Sequence, residues 1–222
     1  VALGFSIFLT ELAPGWARPV LSFAVELLSG IPSVVYGLWG LLVLVPWLRE
    51  QGEPALAWLL GDSWLVSGPP LGLGFLAAGL LLAVMVLPTL CSVSVEVLRS
   101  VPKGLREAAE ALGATRLQAL AWVVLPTCRR GLLGAVLLGL GRAVGETMAV
   151  TMVIGNTPEL RWSLFATGYS LPSVIANEFA EATSAKHTGA LAALALVLMA
   201  LTLLMQVGAR LLVAARPGRV SS

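Results

Sequence analysis

The sequence predicts an all-α, polytopic transmembrane helical bundle, and three observations carry that prediction. Only 12% of the 222 residues are charged, against about 25% in a typical soluble domain. The hydrophobic residues, 58% of the chain, fall in runs close to the about 20 residues a helix needs to cross a bilayer. Basic residues collect in alternate connections, as they do when successive spans reverse direction.

The elements follow in order. The opening VALGFSIFL is too short to span and has no basic stretch before it, so it does not read as a signal peptide. It reads as the end of a helix that begins upstream, which makes the chain N-terminally truncated. Four complete spans are expected: Ile31 to Leu48, which can extend back through Leu28, then Leu71 to Leu90, Leu132 to Ile154 and Gly189 to Val213. A short helix is expected after Pro172 in YSLPSVIANEFAEA, because proline suits a first turn. No separate soluble domain is visible, so residues 1–222 are expected to form a single membrane domain holding a polar segment, 102–126.

Orientation follows from charge. Val95 to Gly131 carries Arg99, Lys103, Arg106, Arg116, Arg129 and Arg130 against three acids, and the tail carries Arg210, Arg216 and Arg219. The connection from Arg49 to Pro70 has one arginine against Glu50, Glu53 and Asp62, and the connection from Asn156 to Thr188 is also acid-rich. The basic segment and the C-terminus are therefore expected on the cytoplasmic side and the other two loops outside. Trp47, Trp58, Trp64 and Trp162 gather on the outer side as interfacial aromatics.

The inner segment contains EAAEALGATRLQALAWVVLP, from Glu107 to Pro126. Pro102 can open a helix, and Leu105, Ala108 and Leu112 form one apolar stripe at helical spacing. Glu107 and Glu110 read as early residues, favoured by the helix dipole. Gly113 suits a left-handed C-terminal cap. Thr115 and Gln118 form a T-x-x-Q capping box for a second helix, which Pro126 is expected to interrupt. Physics alone leaves two readings, a solvated amphipathic loop or a docking element for a cytoplasmic partner.

A fixed pattern separates them. Glu107, Ala108, Ala109, Gly113, Val123, Leu125 and Pro126 resemble the EAA motif of permease subunits in bacterial ABC importers, with Val123 where isoleucine is usual. The resemblance implies the MetI-like permease fold, and a coupling helix that sits in a cleft of an ATPase subunit.

The third span carries two charges. Arg142 falls about ten residues in, roughly 15 Å deep at 1.5 Å per residue, and Glu146 follows one helical turn later. A charge at the bilayer centre costs about 2.5–3.5 kcal/mol on insertion scales. One explanation is an i,i+4 ion pair that fixes packing, although arginine before glutamate is the weaker order. The other is a pathway for an anion, since the planar guanidinium suits an oxyanion such as phosphate. Gly141 and Gly145 make a small-xxx-small pattern suited to close helix approach.

The stretches GLGRAVGETMAVTMVIGN, IPSVVYGLWGL, FLTELAPGW and IANEFAEA resemble, in family order, the PstC-type permeases of bacterial phosphate importers. That resemblance implies six spans in the whole subunit and a role for Arg142 and Glu146 in phosphate translocation. It also implies partners: a second homologous permease, two cytoplasmic ATPase subunits and an extracytoplasmic phosphate-binding protein, in the bacterial plasma membrane and its lipid. No Walker A loop is present, so ATP is expected on the partner ATPase and no cofactor in this chain. His187 stands alone as a loop residue, so neither catalysis nor a metal site is expected. Basic residues lie at membrane borders, which argues against nucleic acid. The rival readings are a permease for sulfate or molybdate, or a scaffold relaying phosphate status to a sensor kinase. A passive channel would not need the docking motif.

Overall fold

The computed structural model describes residues 1–214 apart from Asp62 and Leu160, and the side chains among them apart from Ala209 and 212–214. Asp62, Arg216 and Arg219, on which the charge reading drew, lie outside the described residues. In chain order the helices are α1 (Ala2–Leu12), α2 (Ala17–Ser29), α3 (Ser33–Leu60), α4 (Phe75–Arg99), α5 (Lys103–Ala111), α6 (Arg116–Val144), α7 (Met148–Val153), α8 (Leu171–Glu178) and α9 (Ala185–Ala214). Among the described residues there is no strand, only an isolated bridge between Gly155 and Gly168.

Among the described residues, three helices are long and apolar enough to cross a membrane: Phe75–Arg99, Arg116–Val144 and Ala185–Gly208. A fourth crossing arises only if α2 and α3, broken around Gly30–Pro32, are taken as one. The expected spans therefore shift. The first does not run back unbroken through Leu28, because α2 ends at Ser29 and α3 starts after Pro32. The second begins at Phe75 and continues to Arg99. The third begins far earlier, at Arg116, and stops at Val144. The helix expected after Pro172 is present as α8, where Ser170 and Ser173 cap one another's backbone N–H groups.

Proline explains why α6 starts so early. Pro126 does not interrupt the helix. The turn before it, Leu120–Val124, widens so that Leu125 N–H bonds to the Leu120 carbonyl five residues back. Proline brings no N–H, and its ring collides with the carbonyl four residues back in a regular helix. A wide turn relieves that collision without ending the helix. The same device precedes Pro46 and Pro54 in α3, at Gly40–Leu44 and Leu48–Gly52. It recurs at the end of α1, where Ala13 N–H reaches the Phe8 carbonyl just before Pro14.

The chain divides into two compact units. The first holds Val1–Gly30, Val86–Arg142 and the described residues from Leu204 onward. Its core includes Leu98 from the end of α4, Val101 from the connection to α5, and Leu120, Val124 and Cys128 from the first half of α6. A β-carbon on Gly131 would lie 2.6 Å from Val97, and one on Gly139 would lie 2.8 Å from Val86. The close approach of α6 to α4 thus uses Gly131 and Gly139. Gly141, singled out from sequence, meets only Gln206, at 4.0 Å, and Gly145 lies beyond the helix end. Lipid tails are as apolar as leucine, so such close contacts, rather than removal from water, hold helices together within a bilayer.

The second unit holds Ile31–Met85 and Ala143–Leu203. Here α7 packs against α3 through Gly37 and Gly40, where a β-carbon would meet Met152 Sδ at 2.6 Å and Val153 at 3.1 Å, respectively. The first N–H groups of α4, which have no partner in their own helix, are satisfied from the loop: Phe75 bonds the Ala166 carbonyl at 3.0 Å and Leu76 the Leu164 carbonyl at 2.9 Å. Glu53, counted as a loop charge from sequence, is buried and accepts the Gly72 N–H at 2.9 Å. Trp47, Trp58, Trp64 and Trp162 are all exposed, as interfacial aromatics would be.

The contact at Gly37 generates a prediction. A Gly37→Ala side chain would also lie 2.9 Å from the Ala149 Cα, which is backbone and cannot rotate away. Overpacking of this kind costs about 1–3 kcal/mol. The purified variant should melt at a lower temperature in detergent, and an unchanged melting point would show that α3 and α7 separate freely.

Candidate functional site

The first candidate site is built on α5, in the first unit. Pro102 directly precedes this nine-residue helix, and Gly113 follows its end with φ +89°. The last turn closes with two bonds: Gly113 N–H to the Glu110 carbonyl at 2.9 Å, and Ala114 N–H to the Ala109 carbonyl at 3.1 Å. This is the Schellman pattern, and it needs a residue at ease in the left-handed region. Thr115 then opens α6. Its hydroxyl accepts the Gln118 N–H at 3.3 Å, while the Gln118 side chain accepts the Thr115 N–H at 2.8 Å. The expected capping box is present in both directions.

Two details differ from expectation. No acidic residue occupies the first turn of α5, because the helix starts at Lys103, which puts Glu107 at its middle and Glu110 near its end. The dipole therefore does not account for these glutamates. The apolar stripe exists but faces outward: Leu105 and Ala108 are exposed, and Leu112 is 89% exposed. Ala109 is the buried member of the motif. Leu112 and Gly113 join Trp122 and Val123 in lining an open apolar groove between α5 and the start of α6. Leu125 is half-buried against the core below, and Pro126 is exposed.

Sequence reasoning missed what anchors α5. Arg106 donates from Nη1 to Glu11 Oε1 on α1, and from Nη2 to the Leu98 carbonyl at 2.9 Å on α4. Both charged side chains are largely covered, at 24% and 18% exposure. Glu11 lies in the stretch FLTELAPGW, 95 residues from its partner. The one available hint was a lone acid in that short run. His187 was also missed: it sits at the start of α9, and its Nε2 is 3.0 Å from Glu178 Oε2.

The two charges expected within the third span fall in different units, and each is described in its own surroundings. Arg142, near the end of α6 in the first unit, donates to the Thr89 hydroxyl at 3.3 Å and is exposed. Glu146, in the second unit, lies in the break between α6 and α7 and is half-buried. Its carboxylate accepts the Ala149 N–H at 3.2 Å, which satisfies an unpaired donor in the first turn of α7. The expected i,i+4 relation on one helix is not formed, because α6 stops at Val144. Glu146 also lines a largely apolar cleft with Phe75, Val150 and Tyr169.

Comparison with known proteins gives a consistent result. A family model described as "Binding-protein-dependent transport system inner membrane component" matches residues 2–216. The phosphate transport system permease protein PstC of Pasteurella multocida (strain Pm70) is 45% identical over 217 residues, which are 96% of this chain and 68% of that protein. The protein of the same name from Haemophilus influenzae is also 45% identical, over 96% of this chain and 69% of that one. That of Mesorhizobium japonicum is 44% identical, over 95% and 65%. The chain thus spans about two thirds of the length of these relatives. A chain from an inward-facing structure of the MetNI methionine ABC transporter shares the fold, with a TM-score of 0.69 and 22% identity over 97% of this chain and 85% of that one.

The α5 terminus gives a local test. Gly113→Ala must hold a β-carbon at φ +89°, at a cost of about 1–2 kcal/mol. Hydrogen exchange at the Ala114 amide should then quicken by about tenfold, since each 1.4 kcal/mol of local stability is one factor of ten. Unchanged protection would mean that the turn is held by something other than its two closing bonds.

Proposed function

The chain belongs to the family of binding-protein-dependent transport system inner membrane components, and we propose that it is the permease subunit of an ATP-driven importer of inorganic phosphate. The observation that carries the substrate is the 45% identity to phosphate permeases across 96% of the chain. Arg142 supports it chemically. Within its unit it bonds to a neutral hydroxyl, and no carboxylate among that unit's described residues forms an ion pair with it. Its remaining N–H donors suit a tetrahedral oxyanion. Glu146 would limit how tightly the anion is held, which favours release over storage.

In this reading the Glu107–Gly113 foot faces the cytoplasm, where it docks in a cleft of one of two ATPase subunits, which bind the ATP. The exposed Leu112, Ala108 and Glu107 are the surface for that contact. A second, homologous permease completes the pathway, and an extracytoplasmic phosphate-binding protein delivers the anion to the outer loops. ATP binding and hydrolysis move the coupling helices and switch access from one side of the membrane to the other.

The test is ATP-dependent uptake of labelled phosphate by proteoliposomes holding the full complex, with sulfate and molybdate as competitors. Loss of a hydrogen bond to a charged group is worth about 1.5–3 kcal/mol, or roughly 10- to 150-fold. Arg142→Ala should lower uptake by that order while the complex still assembles. Retained uptake would remove Arg142 from the pathway, and transport of a different anion would remove phosphate.

The coupling role has its own test. Gly113→Pro loses the N–H that bonds Glu110 and cannot adopt φ +89°. The complex should hydrolyse ATP without matching uptake. Normal uptake per ATP in an assembled variant would exclude the foot as the coupling element.

A further inference from the structure

We propose that Arg106 and Glu11 form the strut that passes movement of the coupling helix to α1 and α4. The proposal rests on the reading of α5 as the docking foot. It assigns the transmission step to a residue pair outside the EAA positions.

The geometry points to this pair for three reasons. First, one guanidinium holds three elements: it sits on α5, bonds the Glu11 carboxylate of α1, and bonds the Leu98 carbonyl in the last turn of α4. That carbonyl is one of the four at a helix end with no partner in its own helix. Second, α5 packs mainly against the first turns of α6, and Arg106 is the side chain that bonds it to α1 and α4. Ala109 is the one buried residue of α5, and the face with Leu105 and Leu112 is exposed. Third, the bond is shielded. Hydrogen bonds between charged groups are about twice as strong as neutral ones, and the low exposure of both side chains spares this pair the screening that weakens surface pairs. Arg106 Nε is buried with no partner, so the guanidinium is committed to this position through its two terminal nitrogens. Glu11 in turn lies two residues from Leu9 and Ala13, which pack with Val95 of α4. A shift of α5 therefore moves a carboxylate fixed to the packed end of α1.

Lysine could not replace this arrangement. It offers a single point charge, whereas arginine bonds two acceptors from a planar fork. The role assigned to the pair is that of a positioning device, acting through the helices it joins.

The experiment uses the complete importer in proteoliposomes and reads phosphate moved per ATP hydrolysed. Four forms are compared with the unaltered complex: Glu11→Gln, Arg106→Gln, Arg106→Lys, and the double exchange Glu11→Arg with Arg106→Glu. The single neutral variants should lower the ratio about tenfold, within the usual range of coupling between sites. ATP hydrolysis by Glu11→Gln should persist. The double exchange should recover part of the ratio, because it restores the ion pair in reverse while the Leu98 carbonyl loses its donor. Arg106→Lys should fall between.

A merely structural pair would change the amount of assembled complex and leave the ratio alone. An unchanged ratio in Glu11→Gln overturns the proposal, as does a double exchange no better than the single variants. If the neutral variants do not assemble, Arg106→Lys decides: an unaltered ratio there overturns the strut, and a reduced one supports it. If the unaltered complex moves another anion, the ratio is read with that anion, and only the phosphate assignment fails. If it hydrolyses ATP but moves no solute, the importer reading itself fails.

Discussion

Backbone hydrogen bonding is the constraint on which the rest of this structure depends. A bilayer offers no water to an unpaired N–H or C=O, so each one left over must find a partner within the protein. Proline is the direct challenge to that rule, and at three positions the chain meets it in the same way, although Pro88 sits in α4 with no widened turn before it. Before Pro46, Pro54 and Pro126 the helix widens by one residue, and the preceding N–H reaches five residues back. The helix survives, and the ring gains room. Where the helix does break, polar groups fill the gap: the Glu146 carboxylate at the start of α7, loop carbonyls at the start of α4, and the Arg106 guanidinium at the end of α4.

The same rule separates what could be read from sequence from what could not. Local devices were legible. Gly113 as a left-handed cap, the reciprocal Thr115–Gln118 box and the short helix at Pro172 each depend on residues within a few positions of one another. Proline was over-read. Taken as a breaker, Pro126 put the start of the third span at Leu132, whereas the structure carries one helix from Arg116 to Val144. The breaking residues were elsewhere, at Gly145 to Thr147, within the stretch read from sequence as one continuous span. The glycine contacts show a related error. A small-xxx-small pattern is easy to see at Gly141, but the close approaches use Gly131 and Gly139, because the facing surface of α4 decides them.

Long-range pairing was the least legible. Nothing periodic connects Glu11 to Arg106 across 95 residues, and His187 looked solitary with Glu178 nine residues away. Charges in a membrane protein invite explanation one at a time, by cost and depth. This structure answers them by partner: Arg106 to a carboxylate and a helix end, Glu53 to a loop amide, Glu146 to a helix start, and Arg142 to a hydroxyl. The sites read from the EAA pattern and from the Arg142–Glu146 stretch draw their positions from that division of labour.

The outward-facing leucine at the tip of α5 has a consequence for how such a subunit changes over time. Leu112 is 89% exposed, so it contributes almost nothing to the fold that presents it. The turn behind it is fixed by Gly113 and by bonds between main-chain atoms, which do not depend on side-chain identity. Residues on that surface are therefore free to drift without disturbing the scaffold. A descendant could present a new surface through a few substitutions at the tip, while the membrane part inherited its architecture intact.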